Sequence, residues 1–238
     1  MQKSPAISVR FAPGSGYNMA LIANSTIPNN GMILCMDPTN VRSYSGSGTK
    51  VYDLISNVAH TLSGGASVTS INGVTAVNCS VSGYYLECDV STVQLPFSGF
   101  TYMAWARMIS SNGEWRTLFR TTPDDHPLLI QSGGTTLGMF DNNGSGFNSS
   151  GYDISSWNNV WALWSIVGDA TSGTTFYINS TQVGTAARSA AGNYHKTTGG
   201  AAGSQPFGYI GWVGLYNNKL NATQVTQVYN SLRSRFGV

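Results

Sequence analysis

The stretch GYIGWVGLYNNKLNATQVTQVYNSLRSRFGV, residues 208–238, decides the fold class because it joins a buried-strand pattern to a capped helix. Residues 209–216 form an apolar and aromatic run that only glycine interrupts, which is typical of a strand packed on both faces. Asn217 and Asn218 then mark a turn. We therefore predict a buried strand, a short turn and a helix.

The start of that helix is well specified. Asn221 is a good N-cap, and Gln224 stands three residues later, where a capping box places Glu or Gln. Leu220 and Val225 are placed for a hydrophobic staple. Apolar residues then recur at helical spacing, at Val225, Val228, Tyr229 and Leu232. Gly237 can end the helix, so we expect one apolar stripe to dock on the rest of the chain.

Composition extends the prediction from one segment to the whole chain. The protein has 238 residues, of which 9% are charged and 28 are glycine. A chain of this length can form one all-β domain, and low charge with abundant Gly, Ser, Thr and Asn suits many short strands joined by tight turns. We divide it into an N-terminal arm, residues 1–30, and a single domain, residues 31–238.

Strand-like segments recur at intervals of about ten residues, separated by turn residues, as in a sandwich or jelly roll. Their predicted positions are residues 32–36, 74–79, 84–90, 100–108, 115–119, 128–131, 136–140, 160–167 and 174–178. Residues 189–205 are the longest polar Gly/Ala stretch, and we predict a surface loop there before the last strand. The cadence of strands predicts an all-β sandwich.

The first 30 residues are interpreted as an arm, because Pro5, Pro13 and Pro28 separate only brief apolar stretches. Two readings stay open. The arm can add an edge strand to its own domain, or it can pair with a neighbouring subunit by strand addition. The second reading predicts contact with other proteins of an assembly.

Charge and hydropathy limit the classes of partner. The formal net charge is +2, and the basic residues are scattered singly rather than gathered in a stripe that neutralises a phosphate backbone. No apolar run approaches the length of a membrane span, and the N-terminus lacks the apolar core of a secretory signal. Cys35, Cys79 and Cys88 form an odd, sparse set typical of reduced, buried thiols. We expect no nucleic acid or membrane partner, and synthesis in a reducing cytoplasm.

Four blocks of sequence carry a resemblance to a known family. They are GMILCMDPTNVRSYSGSGTKVYDLISN (residues 31–57), GYYLECDVSTVQLPFSGFTYMAWARM (83–108), WNNVWALWSIVGDATSGTTFYINSTQVGT (157–185) and YIGWVGLYNNKLNATQVTQVYNSLRSRFGV (209–238). In order and spacing they resemble the concanavalin A-like lectin/glucanase superfamily, specifically the laminin-G-like domains of structural proteins in tailed phages and other large DNA viruses. The resemblance implies an all-β, two-sheet antiparallel jelly-roll sandwich with a short C-terminal helix, and it implies a function only loosely.

Glu87 and Asp89 are a close pair of strand carboxylates that share a sheet face, because they stand at positions i and i+2. Glycoside cleavage normally needs two carboxylates. Glucanases similar to this fold carry Glu-x-Asp-x-x-Glu on one strand, whereas this chain has Thr92 in place of the last Glu, so the acid/base of that pattern is missing. We interpret the pair as polar residues on a solvated strand face, and we predict that the chain is not an enzyme.

Two acidic loops are weighed as metal sites. Residues 123–127, Pro-Asp-Asp-His-Pro, gather two carboxylates and an imidazole but are more typical of a rigid turn. Residues 141–146 resemble the start of a calcium loop, yet Tyr152 stands where the bidentate Glu of the twelfth position belongs, so we predict a hairpin turn. No cofactor is predicted. Members of the superfamily often bind calcium, so the resemblance is compatible with a weak calcium site. The sequence assigns no residues to such a site.

Sugar binding needs an exposed aromatic platform with nearby amides or hydroxyls rather than an ionised group. Candidates for such a glycan-binding platform, in or beside polar loops, are Trp115, Tyr152, Trp157, Tyr194 and His195. For each of them, packing in the core or at its rim is the alternative. Other tryptophans lie within strand patterns and are assigned to the core: Trp105, Trp161, Trp164 and Trp212.

Three functions follow from these patterns and from the resemblance. The first is a non-enzymatic virion structural protein, a capsid decoration, minor capsid or tail-associated component that can present a glycan-binding face. Its partners would be other virion proteins, reached through the N-terminal arm, a cell-surface glycan, and further copies of itself in a homo-oligomer. The alternatives are a soluble carbohydrate-binding lectin module and a polysaccharide hydrolase or lyase. The first function predicts location in the virion after synthesis in the host cytoplasm.

Overall fold

The computed structural model describes residues 26–88, 93–110, 113–200 and 204–238, and in these ranges the chain forms two eight-stranded sheets and one α-helix. Sheet 1 contains β1 Met32–Met36, β4 Ser67–Ile71, β5 Val74–Cys79, β7 Phe100–Met108, β12 Trp161–Asp169, β13 Gly173–Ile178, β14 Thr181–Ala186 and β16 Gly208–Tyr216. Sheet 2 contains β2 Lys50–Tyr52, β3 Ala59–Ser63, β6 Tyr85–Cys88, β8 Arg116–Thr122, β9 His126–Ile130, β10 Thr136–Asp141, β11 Gly146–Asp153 and β15 Tyr194–Thr198.

Neighbouring strands are antiparallel throughout both sheets. Sheet 1 has the order β14-β13-β12-β7-β16-β5-β4, with β1 also paired to β16, and sheet 2 has the order β11-β10-β9-β8-β15-β6-β3-β2. The chain therefore crosses repeatedly between the sheets rather than completing one before starting the other. The prediction of an all-β, two-sheet antiparallel jelly-roll sandwich is confirmed.

Two apolar clusters hold the layers together. The first core lies between the sheets and contains Trp164 and Phe119, both fully buried. The second lies on the other face of sheet 1, where Trp105 stacks on Phe236 with ring centroids 4.4 Å apart. The tryptophans assigned to the core from the sequence are all buried, which confirms that prediction: Trp105, Trp161, Trp164 and Trp212.

The second core is closed by the C-terminal helix α1, Ala222–Leu232. Its predicted capping box is present, since Asn221 Oδ1 accepts from the Gln224 N–H and the Gln224 side chain accepts from the Asn221 N–H, each over 2.9 Å. Val225 and Val228 face the sheet and are fully buried. A 3-10 turn follows, and Gly237 ends it in the left-handed region with φ 73°.

One predicted loop is wrong. Residues 189–205 contain β15, which lies in the middle of sheet 2 between β8 and β6. The strand is buried although its sequence is polar, because its side chains pair with each other and with the backbone. Thr198 Oγ1 lies 3.1 Å from His195 Nε2, and Thr197 Oγ1 donates to the Gly200 carbonyl over 2.6 Å. Internal hydrogen bonds of this kind offset the cost of burying polar groups.

Most of the predicted arm, residues 1–25, lies outside the described residues, so both readings of it stay predictions. The next residues pack on their own domain. Ile27 is buried in the second core, and the Thr26 carbonyl accepts a hydrogen bond from the Gln227 side chain. The chain thus enters the described domain against helix α1.

Two further sequence features have structural counterparts. Cys35, Cys79 and Cys88 are free thiols, and burial raises the pKa of Cys79 to about 12. Both Cys35 and Cys79 are fully buried, so they behave as small apolar core residues.

In the part of the chain that the structure describes, no helix is long and apolar enough to cross a membrane.

Candidate functional site

Two of the candidate aromatic residues, Tyr152 and Trp157, lie together in a cleft of about 380 Å³ where the edge of sheet 2 meets the edge of sheet 1. The Trp157 indole donates to the Tyr152 hydroxyl over 3.2 Å. Both side chains are half-buried and pack partly against the first core. The remaining lining residues come from the hairpin β13–β14: Ile178, Asn179, Thr181, Gln182 and Val183. We call this site the edge cleft.

The aromatic wall of the edge cleft is anchored from the core side. Ile154 is fully buried, and its N–H donates to the Thr135 carbonyl over 2.9 Å. The 3-10 turn Ser155–Trp157 follows at once and is closed by the Trp157 N–H, which donates to the Ile154 carbonyl over 2.8 Å. The backbone beneath both rings is therefore fixed, and a ligand does not have to order it.

The facing wall is the tight turn of the β13–β14 hairpin. Asn179 adopts the left-handed conformation with φ 58°, which Asn tolerates better than most residues. Its N–H donates to the Leu163 carbonyl over 2.7 Å, and its Oδ1 accepts from the Leu163 N–H over 3.0 Å. No structural or binding role is predicted for Asn179 from the sequence, so its place in a site with Tyr152 is missed.

The distance between the two walls is set by backbone contact at Gly184. A Cβ on Gly184 would lie 2.2 Å from the Ser150 carbonyl oxygen, so only glycine lets β14 approach β11 this closely. Ser150 is itself held, since its Oγ donates to the Leu137 carbonyl over 2.7 Å. The width of the edge cleft therefore follows from one close approach between the sheets.

The edge cleft combines aromatic faces with hydroxyl and amide groups. Tyr152 supplies a hydroxyl whose oxygen already accepts from Trp157, which leaves its own proton free to donate. The Asn179 side-chain oxygen accepts from the Leu163 backbone N–H, which leaves its amide nitrogen as a hydrogen-bond donor without a partner. Thr181 and Gln182 are exposed at the rim of the cleft. Such a lining can stack a flat ligand and exchange several hydrogen bonds with it.

Trp115 lies elsewhere, in an aromatic cluster on sheet 2. Its ring centroid is 5.4 Å from that of Phe140 and 5.7 Å from that of Phe147. His126 packs edge-on against Phe140 at 6.2 Å. We call these four residues the sheet-2 cluster. Neither Phe140 nor Phe147 is predicted as a site residue from the sequence, although Phe140 lies in the strand predicted at residues 136–140.

Tyr194 and His195 stand on β15, away from the edge cleft. Tyr194 is exposed and is paired with Thr122 across the sheet. His195 is corrected to a core residue: it is 2% exposed and packs edge-on against Tyr102, with ring centroids 5.4 Å apart. Burial lowers the pKa of His195 to about 3, with a smaller contribution from His60, so the imidazole is neutral and inaccessible to a sugar.

The carboxylate pair considered for catalysis is described only in part. Glu87 lies on β6, opposite Thr61 on one side and Thr197 on the other. Its Oε2 accepts from Ser63 Oγ over 3.0 Å, and the side chain is half-buried. Asp89 lies outside the described residues, so the geometry of the pair is not defined.

The loop at residues 123–127 uses its polar groups internally. Asp124 forms ion pairs with Arg120 and Lys196, each at 3.0 Å, while Asp125 accepts from Asn193 Nδ2 over 2.7 Å. His126 Nδ1 lies 2.9 Å from Thr117 Oγ1, and burial lowers the pKa of His126 to about 4. Burial raises the pKa of Asp125. These contacts describe a structural turn.

The hairpin turn predicted at residues 141–146 connects β10 to β11 and is held by Asp141, which accepts from the Asn143 and Ser145 N–H groups. Within the described ranges, no group of three or more His, Cys, Asp or Glu side chains is arranged to hold a metal ion. The prediction that no cofactor is required stays a prediction.

A second, larger cleft of about 550 Å³ opens at the loops near β1, lined by Ile33, Ser56, Val58, Val93, Gln94, Pro96, Ser98 and Asn217. Its lining is aliphatic and polar, so it offers no ring on which a sugar can stack. Phe97 stands beside it and is 68% exposed. None of the predicted glycan-binding residues belongs to this cleft.

Comparison with known families places the chain by its sequence. A laminin-G-type family model, described as the concanavalin A-like lectin/glucanases superfamily, matches residues 82–226. The chain belongs to this superfamily, which confirms the broad resemblance stated from the sequence. The narrower resemblance to phage and viral proteins stays a prediction. A search of curated proteins found no match.

Solved structures share the fold at low identity. A Trypanosoma rangeli sialidase in complex with sialic acid matches with a TM-score of 0.63 and 14% identity over 89% of this chain and 34% of the sialidase. The binding domain of Botulinum neurotoxin DC in complex with rat synaptotagmin II matches with a TM-score of 0.61 and 16% identity over 85% of this chain and 52% of that domain. The same domain in complex with SialylT gives the same score and identity. The chain thus spans about a third of the sialidase and half of the toxin domain.

The sialidase matches overturn one prediction. The chain was predicted not to be an enzyme, yet the matched structures include sialidases and a sialidase mutant that displays trans-sialidase activity. A segment with this fold therefore occurs within enzymes, and the missing acid/base at Thr92 does not exclude catalysis. At this level of identity the likeness shows the fold alone, and it assigns no reaction to this chain.

Proposed function

We propose that this protein binds carbohydrate through the edge cleft. The observation that carries the proposal is the contact between Tyr152 and Trp157 inside a concave site whose facing wall supplies two side-chain amides and one hydroxyl. The two rings were predicted separately as sugar platforms. Their meeting in one cleft supports that prediction for these two residues.

The chemistry of a sugar suits this lining. One face of a pyranose ring presents C–H groups that pack on an aromatic ring, and its edge presents hydroxyls that need hydrogen-bond partners. Trp157 and Tyr152 supply the aromatic surface, and Asn179 supplies an amide nitrogen beside it. Ligand sites typically combine apolar walls with a few placed polar groups in this way.

The comparisons support the same class of function. The superfamily to which the chain belongs is described by its lectins and glucanases. One matched structure is a sialidase holding sialic acid, and another is a toxin binding domain in complex with SialylT. These ligands belong to those proteins, and each of those chains is longer than the part that matches.

Attachment to a viral particle is a separate proposal that rests on the sequence resemblance. Its predicted partners are other virion proteins, reached through the arm, and further copies of the chain. The residues of the arm that would make those contacts lie mostly outside the described ranges. Glycan binding is compatible with this role and is tested independently of it.

A glycan array followed by titration calorimetry on the full chain tests carbohydrate binding. We expect saturable binding to at least one oligosaccharide and a loss of at least tenfold in affinity in Trp157→Ala. Trp115→Ala, in the sheet-2 cluster, is the matched control and should bind as the parent does. Thermal unfolding of each variant shows whether the fold is retained.

Two outcomes would contradict the proposal. Silence across the whole array would remove carbohydrate binding as the function. Binding that is lost in Trp115→Ala and kept in Trp157→Ala would move the site from the edge cleft to the sheet-2 cluster.

A further inference from the structure

We propose that the sugar recognised in the edge cleft carries an acetamido group, as in an uncharged N-acetylhexosamine. This inference rests on the proposed function and names the class of ligand. It follows from three properties of the lining: two half-buried donors without acceptors, an apolar surface in the same cleft, and the absence of ionised groups among the lining residues.

The first donor is the Asn179 amide nitrogen. The assignment of this amide is set by its oxygen, which accepts from the Leu163 N–H, so the nitrogen is the atom of the side chain left without a partner. Within the described residues it donates no hydrogen bond. A carbonyl oxygen on the ligand would satisfy it, and the amide would bring two protons to that contact.

The second donor is the Tyr152 hydroxyl. Its oxygen accepts the Trp157 indole N–H over 3.2 Å, so its own proton is available for another acceptor. Two donors in one cleft favour a strong neutral acceptor. An amide carbonyl is a better acceptor than a sugar hydroxyl because its oxygen carries more negative charge, and it accepts two hydrogen bonds in the plane of the group.

An apolar surface lies beside these donors. Val183 and Ile178 line the cleft together with the Trp157 ring, and Val183 is only half-buried. The methyl of an acetamido group is the part of such a sugar that gains from contact with this surface, since removing apolar area from water is favourable. A plain hexose places a hydroxyl at that position and would leave it facing apolar side chains.

The residues lining the edge cleft are all uncharged. A carboxylate brought into a half-enclosed site without a cation loses hydration that the lining does not replace. A sialic acid or uronic acid therefore binds less favourably here than a neutral sugar. The volume of about 380 Å³ lies near the lower end of the range for ligand sites, which suits the end of a short oligosaccharide.

Titration of the full chain with three probes tests the inference. The probes are chitotriose, which carries acetamido groups, cellotriose, which has hydroxyls at those positions, and trigalacturonic acid, which carries carboxylates and no acetamido group. We expect chitotriose to bind at least ten times more tightly than either of the others. Equal affinity for chitotriose and cellotriose, or preference for trigalacturonic acid, would overturn the inference while leaving carbohydrate binding intact.

Asn179→Asp tests the donor directly. The substitution keeps an oxygen for the Leu163 N–H and removes the amide protons, so the hairpin is retained and the contact to the ligand is lost. We expect chitotriose to bind at least tenfold more weakly, with little change for cellotriose. Asn159→Asp is the matched control, because it makes the same substitution at an exposed Asn, also with positive φ, that does not line the edge cleft, and it should change chitotriose affinity less than threefold.

The results separate the two levels of the proposal. Unchanged chitotriose binding in Asn179→Asp, or an equal loss in Asn159→Asp, would show that the amide protons of Asn179 are not used and would overturn the inference. Binding of none of the three probes, together with silence across a glycan array, would instead contradict the proposed function itself.

Discussion

At the scale of single residues, burial decides what a polar side chain can do. His195 was chosen as a surface candidate because its neighbours in sequence are polar, yet Tyr102 and Phe119 enclose its ring. Asn179 is given no role by the sequence patterns, yet it lines the edge cleft. Sequence indicates the chemistry available at each position, whereas accessibility depends on contacts between distant segments.

The buried histidines predict a pH dependence of stability. The folded pKa is about 3 for His195 and about 4 for His126, both below the unfolded value of about 6.5, so the unfolded state binds more protons between those limits. The free energy of unfolding is therefore greatest above pH 7 and falls as the pH decreases below about 6.5. Each histidine contributes a slope of at most about 1.4 kcal/mol per pH unit.

Urea unfolding at pH 7.5, 6 and 5 measures this slope. His195→Gln, which retains a polar group near Thr198, should reduce this slope by at most about 1.4 kcal/mol per pH unit, which is the contribution of one proton. Burial raises the pKa of Asp125, which changes the pH dependence of stability in the opposite direction to the histidines. This effect is the same in the parent and in the variant, so it cancels when their slopes are compared. A slope in His195→Gln equal to that of the parent would show that His195 is not responsible.

At the scale of elements, strands with strong apolar patterns were predicted well. Strand β7 occupies the predicted residues 100–108, and β16 begins one residue before the predicted start. Strand β15 was missed because its sequence, Tyr-His-Lys-Thr-Thr, has no apolar alternation, and its burial depends on hydrogen bonds that form only in the folded sheet. Its two threonines are the available signal, since β-branched residues favour strands.

The edge cleft also depends on contacts between distant segments that the sequence patterns do not predict. Tyr152 and Trp157 are close in sequence and could be selected as aromatic residues in a polar setting. The opposite wall belongs to the hairpin β13–β14 in the other sheet, and the register that brings it there depends on the whole jelly roll. Residue types were predictable, and their juxtaposition was not.

Close packing between elements makes Gly184 a sensitive position. Gly184→Ala should destabilise the protein by about 1–3 kcal/mol, because the new Cβ would overlap the Ser150 backbone and push β14 away from β11. We expect sugar affinity to fall with it, since the same contact sets the width of the edge cleft. Urea unfolding and calorimetric titration measure the two effects.

Gly134→Ala is the control for that substitution. A Cβ on Gly134 meets no described atom within 4 Å, and its backbone is not in the left-handed region. Its stability should stay within about 1 kcal/mol of the parent. If both variants behaved alike, the close approach at Gly184 would not be what limits the site.

At the scale of the whole molecule, the two cores give the two faces of sheet 1 different roles. One face meets sheet 2 and forms the sandwich, while the other is covered by helix α1 and the turn that ends in Phe236. The segment that first indicated the fold is therefore architectural: β16 lies in the sheet and α1 closes the second core. The edge cleft lies where the two sheets meet and does not use this segment.

An ion pair connects the beginning and the end of the described domain. Arg235 donates through both terminal nitrogens to Asp37, each over 2.8 Å, and the Asp37 side chain is 4% exposed. Arg235→Ala should cost about 3 kcal/mol, because it leaves a buried carboxylate without its cation. Arg233→Ala removes an exposed arginine from the same turn and should cost less than about 1 kcal/mol, as measured by urea unfolding. An equal loss of stability in the two variants would show that the Arg235–Asp37 ion pair does not stabilise the contact between the two segments.

The most direct test of the account is whether Trp157 senses a bound sugar. The chain has six tryptophans, so ¹⁵N-labelled protein gives six indole N–H signals in an NMR spectrum, and Trp157→Phe identifies the one from the edge cleft. On titration with chitotriose, we predict a saturable shift of the Trp157 signal while the signals of Trp115 and the buried tryptophans stay in place. A spectrum in which Trp157 does not move, or in which Trp115 moves instead, would contradict the claim that the edge cleft binds carbohydrate.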